Sequence, residues 1–435
     1  MVAKVETAYV KLWGMLVGAV LWDPEKEFAT FEYDRKFLEK GLDVSPLKMP
    51  ITEARSGTAK FAFPALPKNS FRGLPGMLAD ALPDKFGNSI IDAWLARQGR
   101  TPENFSPVER LCYAGKRAMG ALEFAPIISE STEESVPVEV SELVKIAQTI
   151  ADERSRLKTN FELNATDAIL DIIRVGTSAG GSRPKAVIAF NDESREVRSG
   201  QVDAPDGFSY WMLKFDGVKD HSLGDPAGYG RIEYAYYKMA MASGIEMTEC
   251  RLFEENGRAH FMTKRFDRFG SRGKLHLQSL CATAHFGFNE PGAYSYEQAF
   301  QVMRELRLPY RDAEQQFRRM IFNVVARNQD DHTKNIAFLM DQNGQWRLSP
   351  AFDVIYAYNP TGDWTSRHQM SINGKRDDFI KDDLVKVGKE MNIKSRLHII
   401  DEIIEVVANW SGFAKDAGVE PAQIKSIGRA HRLLR

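Results

Sequence analysis

One stretch constrains the fold of this chain more than any other: Asp312 to Asp353. From Asp312 to Arg327, the residues Phe317, Met320, Ile321, Val324 and Val325 recur at i, i+3, i+4, i+7 and i+8. That period places a single apolar stripe on a helix. The helix gives way to the polar run Asn328-Gln-Asp-Asp-His-Thr-Lys-Asn335. An apolar strand, Ile336 to Met340, follows, then the turn Asp341-Gln-Asn-Gly344, a short strand Gln345 to Leu348, and Pro350-Ala-Phe-Asp353. Two antiparallel strands bring a chain back to where it started, about 5 Å from the first strand. The spacing therefore predicts that Asp353 lies close to Asp330 and Asn335.

Two Asp and one Asn at one pocket supply hard oxygen ligands and a spare carboxylate. That set suits Mg²⁺ held by a few protein oxygens together with substrate phosphates. The spare carboxylate can accept a hydroxyl proton during phosphoryl transfer. An Asp, an Asn five residues on, and an Asp beyond a hairpin is the order of the catalytic loop and metal-binding Asp in protein kinases. One Asp alone would read as a solvated loop residue; the ordered set on one helix–loop–hairpin frame favours a site.

Such chemistry also needs a phosphate loop and a lysine upstream. Gly176-Thr-Ser-Ala-Gly-Gly-Ser182 is rich in small residues, so its backbone N–H groups can approach anionic oxygens. It fails the P-loop pattern, because Ser182 stands where Lys belongs, and it fails GxGxxG. Alone it is a weak signal, and a plain turn is the more common explanation. Lys185 and Lys214 follow it. Lys214 sits inside the apolar strand Trp211-Met-Leu-Lys-Phe215. Burying an unpaired ammonium is costly, so an anionic partner is expected: a nucleotide phosphate, or Glu233 on the next helix. An edge strand facing solvent is the alternative.

At about 100–200 residues per domain, 435 residues imply two to four domains or one large two-lobed unit. The first region reads as β-rich, with strands at Tyr9–Leu16 and Ala19–Trp22 set off by turns at Gly14 and Gly18. Asn88–Gln98 reads as a helix stopped by Gly99. The acidic, proline-bearing segment 128–140 reads as a linker. Helices are expected at 141–152, 165–173 and Ile232–Ala242. Strands are expected at Ala186–Phe190, Tyr210–Phe215, Arg251–Phe253 and His260–Phe266, the last two joined by a turn at Glu255–Gly257. Beyond Arg268 the pattern turns mostly helical.

Charge and cysteine content exclude whole classes of function. Lys and Arg (58) nearly balance Asp and Glu (59), so global adhesion to nucleic acid or membrane is not expected. The basic C-terminal stretch from Lys415 reads as a solvated helix face. Cys112, Cys250 and Cys281 are far apart and form no CxxC pair, which fits free thiols in a reducing cytoplasm better than a disulfide scaffold or zinc module. The N-terminus lacks the pattern of a signal peptide, and no apolar run reaches the ~18 residues of a membrane span.

Five segments, taken together, resemble the HipA-type serine/threonine kinases, toxin components of HipA/HipB-like toxin–antitoxin pairs. They are Ser178-Ala-Gly-Gly-Ser-Arg-Pro-Lys185, Trp211-Met-Leu-Lys214, Lys264-Arg-Phe-Asp-Arg268, Asn328-Gln-Asp-Asp-His-Thr-Lys-Asn335 and Phe352-Asp353. The likeness runs in order over roughly residues 170–360, and Leu82-Pro-Asp-Lys-Phe-Gly87 echoes the family's N-terminal region. The resemblance implies an α+β, two-lobed protein-kinase-like fold with a β-rich N-terminal region and a mostly helical C-terminal lobe. The expected division is an N-terminal β-rich domain over 1–125, a linker and helices over 126–170, a nucleotide-binding lobe with the phosphate loop over 171–268, and a helical catalytic lobe over 269–435.

The resemblance also implies roles. Asp330 would orient or deprotonate the acceptor hydroxyl, with His332 and Lys334 near the transferred phosphate. Asn335 and Asp353 would bind Mg²⁺. Ser178, Ala179, Gly180, Gly181, Lys185 and Lys214 would hold ATP phosphates, and Arg265 and Phe266 would belong to the hinge that receives adenine. Ser178 would be the site of self-inhibiting autophosphorylation. The partners implied are a HipB-like helix-turn-helix antitoxin and a protein substrate with a Ser/Thr acceptor, with DNA met only through the antitoxin. Two positions depart from the family pattern. Lys264 stands where Glu is frequent, and Leu277-Gln278-Ser279 lacks the carboxylates of a Gln-Glu-Asp run.

Other readings compete. Ser182-Arg-Pro-Lys185 is an S-x-x-K string, as in serine acyl enzymes, but S-D-N and K-T-G are missing. Asp330, Asp331 and His332 could form a hydrolytic metal site, though no further His cluster supports it. Phosphotransfer to a small molecule would use the same residues. A non-catalytic partner of a DNA-binding antitoxin would use none of them.

Overall fold

The computed structural model describes residues 4–57, 59–83, 85–97, 99–128, 135–156, 183–218, 228–270 and 272–434. The chain forms two compact units. The first takes residues 1–227, 253–277 and 341–344, and the second takes 228–252, 278–340 and 345–435. Among the described residues no helix is long and apolar enough to cross a membrane. Mixed sheet and helix, with the β-rich part first, is the α+β architecture expected from the sequence.

Unit 1 carries two five-stranded sheets. The first joins β1 (Thr7–Leu12), β2 (Met15–Asp23), β3 (Phe28–Tyr33), β4 (Lys60–Ala62) and β5 (Leu122–Ala125) in the order β4-β3-β2-β1-β5. Strict alternation builds it: in β1, Ala8, Val10 and Leu12 are buried while Thr7, Tyr9 and Lys11 face out. Gly14 makes the expected tight turn with φ +80°. Gly18 does not turn the chain. It lies inside β2, paired with Val10 and Tyr33, where an added Cβ would meet the Glu32 carbonyl oxygen at 2.1 Å. Here glycine permits a close strand approach rather than a reversal.

The second sheet joins β6 (Lys185–Asn191), β7 (Val197–Ser199), β8 (Phe208–Lys214), β9 (Cys250–Glu255) and β10 (Arg258–Lys264) in the order β7-β6-β8-β10-β9. Asn256 and Gly257 reverse the chain between β9 and β10, both at positive φ, as a two-residue hairpin requires. One face is apolar with a period of two: Ala186, Ile188 and Phe190, then Trp211 and Leu213, then Met262. Ile90, Ile91 and Leu95 of the helix Lys85–Arg97, and Leu143, Val144 and Ala147 of the helix Val140–Arg156, belong to the same buried cluster. Part of the expected linker is ordered against this sheet. Pro137 bridges Arg198, and Val138 N–H donates to the Val197 carbonyl (3.0 Å). Residues 129–134 and the helix expected at 165–173 lie outside the described residues.

Two small strands, β11 (Arg268–Phe269) and β12 (Gly273–Lys274), complete unit 1. Next to them lies a largely buried ion cluster. Asp267 accepts from Arg265 Nε (2.9 Å) and Nη2 (2.6 Å), from Arg268 Nη1 (2.7 Å) and from the Gly120 backbone N–H (2.7 Å). Burial works to raise the Asp267 pKa, but the two guanidinium groups overcome it and hold the carboxyl far below its usual range.

Unit 2 is mostly helical. It contains a three-stranded sheet of β13 (His276–Ser279), β14 (Ala337–Met340) and β15 (Trp346–Leu348), with β14 in the middle. The helix Tyr310–Val325 runs through its core, with Phe317, Met320, Ile321, Val324 and Val325 all buried as the stripe requires. Tyr236 packs edge-on to Phe322 (6.0 Å) and to Trp410 (5.3 Å), tying the helices Tyr229–Ala242 and Trp410–Asp416 to that core. The three cysteines are buried free thiols, and burial pushes the Cys112 thiol up to about 12.

Candidate functional site

The site grows out of the end of the helix Tyr310–Val325. Arg327 turns into the left-handed region with φ +57°, which stops the helix. Its Nε donates to the Ala430 carbonyl (2.9 Å), and its guanidinium lies 4.3 Å from the Tyr358 ring centroid. The polar loop follows, with Thr333–Asn335 in a single 3₁₀ turn before β14.

The loop and the segment bearing Asp353 are fastened to each other at both ends. At one end the β14–β15 hairpin pairs Phe338 with Leu348, and Ser349 N–H donates to the Ala337 carbonyl (2.9 Å). At the other, Asn328 bridges Ala357, Gln329 N–H donates to the Ala357 carbonyl (3.0 Å), and Ala357 N–H donates to the Arg327 carbonyl (3.1 Å). Residues 330–336 and 350–356 thus form two sides of one closed frame. Asp353 stands midway along its side, in the left-handed region with φ +51°. That conformation is uncommon for a non-glycine residue and is found where surrounding structure enforces it. The buried Arg319 of the helix pins the frame by donating from Nη2 to the Ser349 carbonyl (2.6 Å).

Inside the frame the two neighbouring aspartates have opposite environments. Asp330 is 43% exposed at its side chain. Its Oδ1 accepts from Trp364 Nε1 at 2.6 Å, and its backbone carbonyl accepts from Asn335 Nδ2 at 2.7 Å. The second bond fixes the Asn335 amide, so its Oδ1 remains as the oxygen donor. Asp331 is buried. Its Oδ2 accepts from Tyr296 Oη (2.9 Å) and His368 Nδ1 (2.8 Å), and its Oδ1 from the Gln369 backbone N–H (2.7 Å). Burial works to raise the Asp331 pKa; the His368 ring and these hydrogen bonds outweigh it, so the carboxyl lies below its ordinary value.

His332 and Lys334 flank Asp330 without bonding to it. His332 Nε2 stands 3.8 Å from Asp330 Oδ1, beyond hydrogen-bond distance. Its ring lies 5.7 Å from the Phe288 ring and 6.4 Å from Trp364. Lys334 Nζ rests over Phe288, 4.6 Å from the centroid, a position that holds the ammonium without neutralising it.

Asn335 and Asp353 offer one amide oxygen and one carboxylate. Among the described residues no cluster of three or more His, Cys, Asp or Glu side chains is placed to hold a metal ion. Two hard oxygens do not make a closed cage, but they fit a Mg²⁺ site whose remaining ligands are water and substrate phosphate.

The nucleotide-side residues belong to unit 1. Ser178, Ala179, Gly180 and Gly181 lie outside the described residues. Lys185 and Lys214 are directly paired across β6 and β8, so both side chains leave the same face of the sheet, opposite the helix-covered one. Lys185 is buried, and Lys214 is partly buried with its Nζ 5.8 Å from the centroid of Phe261, its partner on β10. The Arg265 side chain is committed to Asp267, and its N–H donates to the Tyr210 carbonyl (2.8 Å). Its share in a ligand site is therefore limited to its carbonyl. Lys264 is exposed and lies 5.8 Å from the Trp211 ring centroid.

Sequence reasoning misses Trp364, Tyr296, His368 and Gln369. It offers Asp331 only as a hydrolytic metal ligand, yet Asp331 holds down the segment that carries Trp364. The Trp364 bond gives a direct expectation. Trp364→Phe keeps the ring and removes the donor to Asp330, an interaction with a charged group worth about 1.5–3 kcal/mol. If Asp330 acts as a base, kcat should fall roughly 10- to 100-fold with the KM for ATP little changed. Steady-state kinetics with the purified variant checks this, and an unchanged kcat would remove Trp364 from the site.

Comparison with known proteins agrees with the architecture. The chain matches the HipA N-terminal domain over residues 8–125 and the HipA-like C-terminal domain over residues 177–410. It is 24% identical over 127 residues to Y4mE of Sinorhizobium fredii, whose name proposes a kinase; the match spans 27% of this chain and 30% of that protein's length. Among solved structures, it resembles one reported for the Shewanella oneidensis MR-1 toxin–antitoxin system of HipA, HipB and operator DNA, with a TM-score of 0.66 and 16% identity over 98% of this chain and 96% of that one. At that identity the likeness speaks for the fold.

Proposed function

The chain belongs to the HipA family, and from that premise we propose that it is an ATP- and Mg²⁺-dependent serine/threonine protein kinase, the toxin of a toxin–antitoxin pair. One observation supports the reading: the doubly fastened backbone frame, with the half-exposed Asp330 and Asn335 on one side and Asp353 on the other. A solvated loop would not need a carboxylate oriented by a tryptophan N–H.

In this reading Asp330 receives the acceptor hydroxyl. The acceptor oxygen forms a bond to the γ-phosphorus as the bond from that phosphorus to the β,γ-bridging oxygen breaks. ADP leaves, and the hydroxyl proton passes to Asp330 Oδ2, which accepts no hydrogen bond from the described residues. Asn335 and Asp353 would hold Mg²⁺, which when bound neutralises phosphate charge. Lys185 and Lys214 hold the phosphates. Lys334 and His332 supply donors near the transferred group. With Lys264 in place of Glu, adenine is bound by backbone groups and the Phe266 ring. A HipB-like antitoxin is the proposed partner, by analogy with the Shewanella complex of HipA, HipB and operator DNA, and DNA is met through that partner. Phosphorylation at Ser178 is the proposed self-inhibition, since added charge on a small-residue loop can displace it.

The test is intact-mass spectrometry of the purified protein after incubation with Mg-ATP, followed by peptide mapping. A gain of one phosphate, mapped to Ser178, is expected. No gain, together with no ATP binding by calorimetry, would overturn the kinase reading.

A further inference from the structure

Unit 1 contains a cavity of about 730 Å³ that the kinase reading does not use. None of the residues assigned to ATP lines it. Its volume falls within the range of about 300–1,000 Å³ typical of small-molecule sites. We propose that this cavity binds a small phosphorylated molecule, one carrying a multiply charged phosphate or diphosphate group.

Charge is the first argument. Lys116, Arg117, Arg268, Arg272 and Lys274 line the cavity, against the carboxylates Glu123 and Asp203. Five cations and two anions leave an excess of three positive charges. Adding the adjoining Arg265 and Asp267 does not change that excess, because they cancel. The buried members are held in fixed positions. Arg117 Nε donates to the Ala114 carbonyl (3.3 Å), and its guanidinium stacks 4.8 Å from the Tyr113 centroid. Lys274 Nζ is 2.7 Å from Glu123, and Arg268 is gripped by Asp267 and by the Gly120 carbonyl (2.9 Å). Burial and the nearby Arg268 lower the Lys274 pKa even with Glu123 beside it, as like charges crowded in one place should do.

An unsatisfied donor is the second argument, independent of charge. Gln201 lines the cavity and is only 5% exposed, yet its Nε2 finds no hydrogen-bond partner among the described residues. Buried donors without acceptors are rare and costly. The backbone fixes Gln201 there. Gly200 crosses β6 so closely that an added Cβ would meet the Ile188 carbonyl carbon at 2.3 Å, and its N–H donates to the Val187 carbonyl (3.1 Å). A polar amide side chain on the wall adds hydrogen-bonding capacity to a cavity that Arg117, Arg268 and Arg272 also line. Trp13, whose Nε1 donates to the Lys274 carbonyl (2.8 Å), adds an aromatic wall for the organic part of such a ligand.

The test uses the full chain and inorganic pyrophosphate as probe, by calorimetry. Lys116 and Arg272 are exposed, so the double variant Lys116→Ala/Arg272→Ala should fold normally. Pyrophosphate should bind the wild type, and the double variant should lose about tenfold or more in affinity, as removal of two charge-assisted contacts implies. Lys214→Met should bind it as the wild type does, which separates this cavity from the ATP phosphate site. Gln201→Leu, similar in size, should weaken binding without lowering the melting temperature. Binding lost in Lys214→Met and retained in the double variant would overturn the proposal, as would no binding at millimolar pyrophosphate. The kinase reading stands or falls apart from this result.

Discussion

Asp330→Ala should abolish phosphate transfer while leaving the protein folded. A positioned general base contributes about 10²- to 10⁴-fold, so phosphate incorporation should fall by at least that range of magnitude. The side chain is 43% exposed and accepts one hydrogen bond, from Trp364, so little packing is lost. ATP binding and melting temperature should stay close to wild type, because no phosphate or metal ligand in the proposed site has been removed. Radiolabelled phosphate transfer and calorimetric ATP binding, measured on one preparation, check both halves. A wild-type transfer rate in Asp330→Ala would refute the base assignment.

Its neighbour should behave in the opposite way. Asp331→Asn should unfold the loop of residues 328–335, with a cost of about 3–5 kcal/mol, the range for breaking a buried charged network by removing one member. Three donors converge on that carboxylate, from Tyr296, His368 and Gln369. An amide has one acceptor oxygen, so at least one buried donor would face an NH₂ group. Urea unfolding should show the loss as a lower midpoint, and activity should fall with it because Trp364 is no longer held. The Asp331 pKa is depressed on folding, so the wild-type bond contributes stability above the unfolded-state value, about 3.9. That contribution fades as pH falls through the lower folded-state value. The difference between wild type and Asp331→Asn should therefore shrink toward strongly acidic pH. An unchanged urea midpoint at neutral pH would show that the network does not anchor the loop.

These two residues show how far the sequence can be read. The helix stripe from Phe317 to Val325, the polar loop and the hairpin are legible because each follows a local period or turn rule. That Asp330 and Asn335 share a frame with Asp353 follows from strand geometry. The pairing of Ala357 with Asn328 does not, since residues 354–372 carry no period. Trp364 and His368 reach the loop from that segment, and no local spacing announces a contact across more than thirty residues. Gly18 shows the converse. Glycine marks both turns and close strand approaches, and only the partner strand decides which. Residues 186–190 and 210–213 are apolar without alternation, so the sequence does not say which face Lys185 and Lys214 leave; the pairing of β6 with β8 does. Ser178 and its neighbours lie outside the described residues, so their part remains an expectation from resemblance.

Neither compact unit is continuous in sequence. Unit 1 takes back residues 253–277 after the chain has begun unit 2, and β10, from that returning piece, is a hydrogen-bonded neighbour of β8. A chain emerging from the ribosome thus cannot close its second sheet when residue 227 appears. It must hold β8 with an open edge until β10 has been synthesised, and an open edge invites pairing with other chains. A gene cut at residue 227 would yield a fragment with that edge permanently exposed. Separating the units experimentally would therefore call for rewiring the chain, with 253–277 relinked behind β8, rather than for a simple truncation.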